Sequence, residues 1–141
     1  MKVSAVVPAA GLGLRLKSDI AKPLIQINGE PILIHSLRNL DSHPLIGEII
    51  LVFNPKDIAE IKELIKQKGI KKVTQIVAGG STRKESVRNG LGRVSSDAEY
   101  VLIHDGVRPF PEHETITEVI EAAEKNGAAI VGVPVKATLK K

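Results

Sequence analysis

Several short stretches of the chain hold residues of the kind that handle phosphate. The first, Pro8-Ala9-Ala10-Gly11-Leu12-Gly13-Leu14-Arg15, combines small residues with two glycines and an arginine. Small side chains let backbone N–H groups approach a polyphosphate closely, and Arg15 adds a planar fork of donors for phosphate oxygens. The spacing is not the dinucleotide fingerprint, because Leu16 stands where its third glycine would be, and it is not a Walker A loop. Taken alone, the glycines are equally consistent with an ordinary strand-to-helix turn. Lys22 could reach the same anion as a mobile point charge, or could simply be a solvated lysine; Pro23 behind it pins the chain.

A third stretch, Gly79-Gly80-Ser81-Thr82-Arg83-Lys84-Glu85-Ser86-Val87, spaces Thr82 and Glu85 as a capping box. A capped helix accounts for those two residues but leaves Gly79-Gly80 unexplained; a double glycine would let backbone groups contact a planar base edge. The fourth is His104-Asp105-Gly106-Val107-Arg108-Pro109-Phe110. Asp105 has the chemistry of a Mg²⁺ ligand in phosphate transfer, where one or two carboxylates share the ion with substrate oxygens, and Arg108 could clamp a second anionic group. The competing reading is an Asp-Gly turn. The four histidines show no ligand spacing, so His104 reads as structural. No Gly-x-Ser-x-Gly elbow and no His-Glu-x-x-His motif is present.

Composition narrows the partners. The 141 residues suffice for one domain, and 43% hydrophobic content suffices for one core. The absence of cysteine excludes disulfides, thiolate metal sites and cysteine nucleophiles. A net charge of +4 is a mild bias toward anions, and two Phe and one Tyr provide no stacking platform for nucleic acid. The apolar run Ile49-Ile50-Leu51-Val52-Phe53 falls far short of the roughly 20 residues that cross a bilayer, and no secretory signal follows Lys2. The expectation is a cytoplasmic chain beginning at Met1, without nucleic-acid or membrane partners.

The elements that must position these clusters alternate between β-branched runs and segments of helical period, which is an α/β pattern. Strands are expected at Lys2–Val7, Glu48–Phe53, Lys72–Val77, Glu99–His104 and Ala128–Pro134, all nearly continuous apolar runs suited to burial on both faces. Ile58, Ile61 and Ile65, and then Ile116, Val119, Ile120 and Ala123, fall at helical spacing. Pro55 and Pro111 mark helix starts; Gly69 and Gly127 mark stops. Asn28-Gly29 predicts a turn, with Pro31 opening a helix to about Asp41. In such sheets ligands bind outside the carboxyl ends of the strands, where all four clusters would fall. The set suits phosphoryl or nucleotidyl transfer, in which catalysis is mostly positioning and charge neutralisation.

Together these stretches resemble the 2-C-methyl-D-erythritol 4-phosphate cytidylyltransferase family. The resemblance rests on Pro8 to Arg15, Gly79-Gly80 with Arg83 and Ser86-Val87, His104 to Pro109, and Val133-Pro134-Val135 followed by Thr138, in the family's order across essentially the whole chain. It implies a Rossmann-like nucleotidyltransferase fold, a mostly parallel sheet with helices on both faces, in one domain over 1–141. The implied reaction transfers CMP from CTP to the alditol phosphate with release of pyrophosphate, in isoprenoid precursor synthesis. By this resemblance Arg15 and Lys22 are catalytic; Pro8, Ala9, Ala10, Gly11, Gly13, Gly79, Gly80, Arg83 and Ser86 bind the nucleotide; Asp105 holds Mg²⁺; Arg108 and Thr138 bind the second substrate. Ala21-Lys22-Pro23 departs from the family's common Pro-Lys-Gln and is closer to sugar nucleotidyltransferases. Family chains are homodimers that continue past the strand ending near Pro134, into a β-arm and a last segment with another aspartate and lysine. The expectation is therefore a domain truncated at its C-terminus. Transfer onto ribitol 5-phosphate, or CTP binding without turnover, are the alternatives.

Overall fold

An apolar run becomes a strand only where a neighbour accepts its N–H groups, and that condition decides which of the expected strands form. In chain order the elements are β1 (Val3–Pro8), a short hairpin of β2 (Gln26–Ile27) and β3 (Glu30–Pro31), α1 (Ile32–Ser42), β4 (Ile46–Phe53), α2 (Ile58–Gln67), β5 (Val73–Ala78), α3 (Arg83–Leu91), β6 (Tyr100–Ile103) and α4 (His113–Asn126). They are seen in a computed structural model that describes residues 1–11 and 21–134. The chain divides into two compact units, Met1–Pro111 and Glu112–Lys141.

In the first unit a parallel sheet runs β5-β4-β1-β6. The chain moves outward from β1 to β4 to β5, then returns to the other side of β1 as β6. That reversal leaves a crevice at the carboxyl ends of the strands, the usual ligand position in open α/β sheets. The two inner strands meet the expectation of burial on both faces: Val3 to Val7 and Ile49 to Val52 are fully buried. The edge strands do not, and Val101 and Ile103 of β6 are 41% and 44% exposed. β6 is as apolar as the inner strands and differs from them in position, whereas β5 also carries the exposed polar residues Thr74 and Gln75.

Consecutive strand residues point to opposite faces, so Val6 and Val7 mark the two sides. Val6 clusters with Ile50, Val52, Val77 and Val94. Here α3 lies against the sheet so closely that a Cβ on Gly90 would come within 2.5 Å of Val6 and 2.9 Å of Val52. On the other side Val7 and Leu33 of α1 both border Gly106. Helices therefore cover both faces. At the amino edge Glu48 is buried, accepting from the Ser4 hydroxyl, from Ser95 N at 2.9 Å and from Thr74 Oγ1 at 3.4 Å. This carboxylate ties the loop before β6 to the inner strands.

The turn signals behave as read. Asn28 and Gly29 take φ of 52° and 78°, the pair of left-handed residues that a two-residue hairpin turn demands. Pro31 precedes α1, and Pro55 opens a 3₁₀ turn over Pro55–Asp57 that leads into α2. Asn54 Oδ1 caps that turn by accepting from Lys56 N at 3.1 Å.

The second unit contains α4, begun after Glu112 and ended by Gly127 at φ 84°. The expected strand at Ala128–Pro134 does not form. Among the described residues none pairs with this segment, and Ile130, Val131 and Val133 are 93%, 62% and 85% exposed. β-branched composition suits a strand but does not supply its partner.

Candidate active site

Three loops at the carboxyl edge meet through backbone and small side chains. Ala9 N donates to Val52 O at 2.8 Å and Gly79 N to Phe53 O at 2.9 Å, which anchors the loops after β1 and β5 to the end of β4. His104 N donates to Val6 O at 3.0 Å and Gly106 N to Pro8 O at 3.2 Å, so the loop after β6 is anchored to β1. These contacts leave no room for side chains. A Cβ on Gly79 would lie 2.1 Å from the Cβ of Ala10, and one on Gly106 would lie 2.8 Å from the Cβ of Ala9. Ala9 and Ala10 are thus each faced by a glycine from a neighbouring loop. Gly11 beyond them is exposed, and among the described residues nothing lies within 4 Å of where its Cβ would stand.

The loop after β5 leads into α3, and the capping box expected there is formed. Thr82 Oγ1 accepts from Glu85 N at 3.1 Å, while the Glu85 carboxylate accepts from Ser81 N at 2.7 Å and Thr82 N at 3.3 Å. Hydrogen bonds from the Ser81 hydroxyl, then from the Ser81 and Thr82 backbones, hold the Glu85 carboxyl below its ordinary range despite some opposing desolvation. Ser86, buried, accepts from Gly80 N at 3.1 Å, and Asn89 Nδ2 donates to Ala78 O at 3.0 Å. The double glycine is therefore held from below by α3.

The cap also aims Arg83. Its Nη2 and Nε donate to Asp105 Oδ1 at 2.8 and 3.2 Å, and Arg108 Nε donates to Oδ2 at 3.2 Å. Burial pushes the Asp105 carboxyl up, but the hydrogen bonds and charge of Arg83, then of Arg108, outweigh it and hold the group below its ordinary range. The carboxylate is charged at neutral pH. His104 supports the same loop: its Nε2 meets Arg108 O at 2.8 Å, and burial pushes its pKa down against that bond. This is the structural role read for it in the sequence.

Of the residues singled out in the sequence, Pro8, Ala9, Ala10, Gly79, Gly80, Arg83, Ser86, Asp105 and Arg108 meet at this edge. Lys22 is exposed on a 3₁₀ turn over Lys22–Leu24. Leu24 of that turn borders a hollow with Phe53, the last residue of β4, and with Ile61 and Leu64 of α2. Gly13, Arg15 and Thr138 lie outside the described residues. Sequence reasoning missed Ser36, a buried hydroxyl in the apolar stripe of α1 that donates to Gly106 O at 2.8 Å and fixes the Asp105 loop from beneath. Its signal was a polar residue at a core-facing helical position.

The donors fit a hard cation shared with phosphate. Asp105 offers one partly exposed carboxylate, and among the described residues no group of three or more His, Asp or Glu could hold an ion unaided. Mg²⁺ takes few protein carboxylates when phosphate oxygens complete its shell.

A doubly wound α/β sheet, with small-residue loops, arginines and one aspartate gathered at its carboxyl edge, defines a Rossmann-like protein of the phosphate-handling class. A family model, IspD: 2-C-methyl-D-erythritol 4-phosphate cytidylyltransferase, matches residues 3–141, and the chain belongs to that family. It is 46% identical to the 2-C-methyl-D-erythritol 4-phosphate cytidylyltransferase of Syntrophus aciditrophicus over 99% of this chain and 60% of the relative. With the enzyme of the same name from Alkaliphilus metalliredigens it shares 45% identity over 99% of this chain and 58% of the relative. The crystal structure of 4-diphosphocytidyl-2C-methyl-D-erythritol synthase from Anaerococcus prevotii superposes with a TM-score of 0.73 at 35% identity, covering 87% of this chain and 51% of that one. The chain thus spans about 60% of the length of the curated relatives it matches.

Proposed function

We propose that this chain forms the nucleotide-binding part of a cytidylyltransferase that transfers CMP from CTP to 2-C-methyl-D-erythritol 4-phosphate. The observation that carries the reading is the convergence of Pro8-Ala9-Ala10, Gly79-Gly80, Arg83 and Asp105 to Arg108 at one sheet edge, in a chain of this family. The alanine–glycine contacts keep the loops narrow, so that backbone groups of Ala9, Ala10, Gly79 and Gly80 meet the cytidine and Ser86 steadies them. Gly11 and Gly13 give the first loop its approach to the triphosphate. An oxygen of the acceptor phosphate attacks the α-phosphorus; a P–O bond forms there as the α–β bridging bond breaks, and pyrophosphate leaves with the electron pair. The attacking phosphate is already an anion, so no strong general base and no covalent enzyme intermediate are needed.

Arg15 and Lys22 neutralise charge that builds on the triphosphate as the bond breaks, and Arg108 with Thr138 holds the acceptor phosphate. Asp105 is the residue that would hold Mg²⁺, which when bound supplies positive charge to the phosphate oxygens. Among the described residues no helix is long and apolar enough to cross a membrane, which accords with a cytoplasmic enzyme; assembly as a homodimer belongs to the same reading.

The test is pyrophosphate release by the full-length protein with CTP, Mg²⁺ and each of two acceptors. Release with 2-C-methyl-D-erythritol 4-phosphate is expected. Release with ribitol 5-phosphate alone would overturn the acceptor, and release with neither would overturn the activity.

A further inference from the structure

Both oxygens of Asp105 accept hydrogen bonds from arginine. Arg83, at the start of α3, holds Oδ1 through two nitrogens at 2.8 and 3.2 Å, and Arg108, on the loop after β6, holds Oδ2 at 3.2 Å. A divalent cation reaching this carboxylate competes with the guanidiniums for the oxygen lone pairs, and like charges a few ångströms apart repel, so its binding favours release of an arginine. The aspartate is held more firmly than its partners. Its side chain is 30% exposed, and its loop is fixed by Gly106 N on Pro8 O and by Ser36 on Gly106 O. The arginine side chains are 64% and 76% exposed and have solvent to swing into.

Two guanidiniums against one carboxylate leave an excess of one positive charge, so a displaced arginine is a ready donor for phosphate oxygens. The converse also holds: a polyphosphate that draws the arginines toward itself bares the carboxylate for a cation.

We propose that Arg83, Asp105 and Arg108 form an exchange latch, closed in the free protein, that opens when a divalent cation takes the carboxylate and a phosphate group takes the released arginines. The proposal rests on the reading above of Asp105 as cation ligand. Its consequence is reciprocal coupling between the cation and the phosphate groups that the two arginines bind: each strengthens the other by the same factor.

The experiment measures Mn²⁺ binding to the full-length protein without nucleotide, by electron paramagnetic resonance of the free ion. Arg83→Gln and Arg108→Gln are each expected to tighten Mn²⁺ about two- to fivefold, the scale on which exposed ion pairs compete. Lys84→Gln removes the same charge from the position next to Arg83 and is expected to change the affinity less than either. Arginine variants that bind Mn²⁺ like the parent, or no better than Lys84→Gln, overturn the latch. Asp105→Asn separates this failure from failure of the cation assignment. If it weakens Mn²⁺ binding in the presence of CTP while the arginine variants behave like the parent, only the latch is lost; if it leaves Mn²⁺ binding unchanged, the assignment and the latch fall together. Thermal melts of all variants identify any that do not fold, and the two arginines supply independent versions of the test.

Discussion

The Cβ of Ala10 stands where a side chain at position 79 would have to go: 2.1 Å separates it from an ideal Cβ built on Gly79. Gly79→Ala therefore forces the loops after β1 and β5 apart. Overpacking of this kind costs about 1–3 kcal/mol, and the same displacement moves the backbone groups offered to the nucleotide. Lower thermal stability and weaker CTP binding are both expected. Gly11→Ala, with nothing among the described residues within 4 Å of its Cβ, serves as the steric control and should leave the melting temperature nearly unchanged. Equal stability of the two variants would show that the loops do not meet as described.

A second prediction concerns Glu30 on the hairpin that follows the Lys22 turn. Arg38 Nη2 and Lys68 Nζ each lie 3.0 Å from Glu30 Oε1. The hydrogen bond from Arg38, against some desolvation and with help from Lys68, pulls the carboxyl from 4.5 down to about 2. A carboxyl depressed in the folded state binds protons more readily when unfolded, so its contribution is complete above about pH 4.5 and is lost as pH falls toward 2. Glu30→Gln should destabilise by roughly 0.5–1 kcal/mol at neutral pH, the scale of partly exposed pairs. The gap between parent and variant should close across that acid range in denaturant titrations. A gap independent of pH would remove the ion pair as its cause.

Thr82 tests the helix start that carries Arg83. Loss of a threonine cap costs about 1 kcal/mol, so Thr82→Ala should lower stability by that order. Thr82→Ser, which keeps the hydroxyl, should restore most of it. Because α3 begins at Arg83, fraying there also loosens the Arg83–Asp105 contact. CTP affinity should fall with the alanine and recover with the serine; identical behaviour of the two variants would exclude the hydroxyl as the cap.

What could be read in the chain beforehand follows from the range of the interactions involved. Pro31, Asn28-Gly29, Thr82 with Glu85, and Gly127 act within a few residues, and each does what its local chemistry demands. The inner strands were legible because continuous burial leaves an unbroken apolar run. Ala128–Pro134 carries the same run without the partner that would make it a strand, and partners are set by topology rather than composition. The site divides the same way. Arg83 and Asp105 were visible as phosphate- and cation-handling types, but their pairing across 22 positions was not. It depends on where α3 starts relative to the end of β6. The Glu30–Arg38–Lys68 cluster joins three elements and left no local signal at all.

The last prediction separates binding from chemistry at Lys22. A lysine that merely attracted the nucleotide would stabilise bound CTP and the transition state alike, and its loss would raise KM with kcat unchanged. In the displacement proposed here, negative charge grows on the leaving pyrophosphate as the bridging bond breaks, so a cation directed at that oxygen acts mainly in the transition state. Lys22 is exposed on a turn pinned by the buried Pro23, which fixes where its backbone starts while leaving the ammonium free to reach. Lys22→Ala should lower kcat by about a hundredfold, the scale of losing one preorganised donor, with CTP affinity changed only a few-fold. Arg15→Ala is expected to act in the same direction. Single-turnover rates beside equilibrium CTP titration on the full-length protein make the comparison, and weaker binding with an unaltered chemical step would reassign both residues to nucleotide capture.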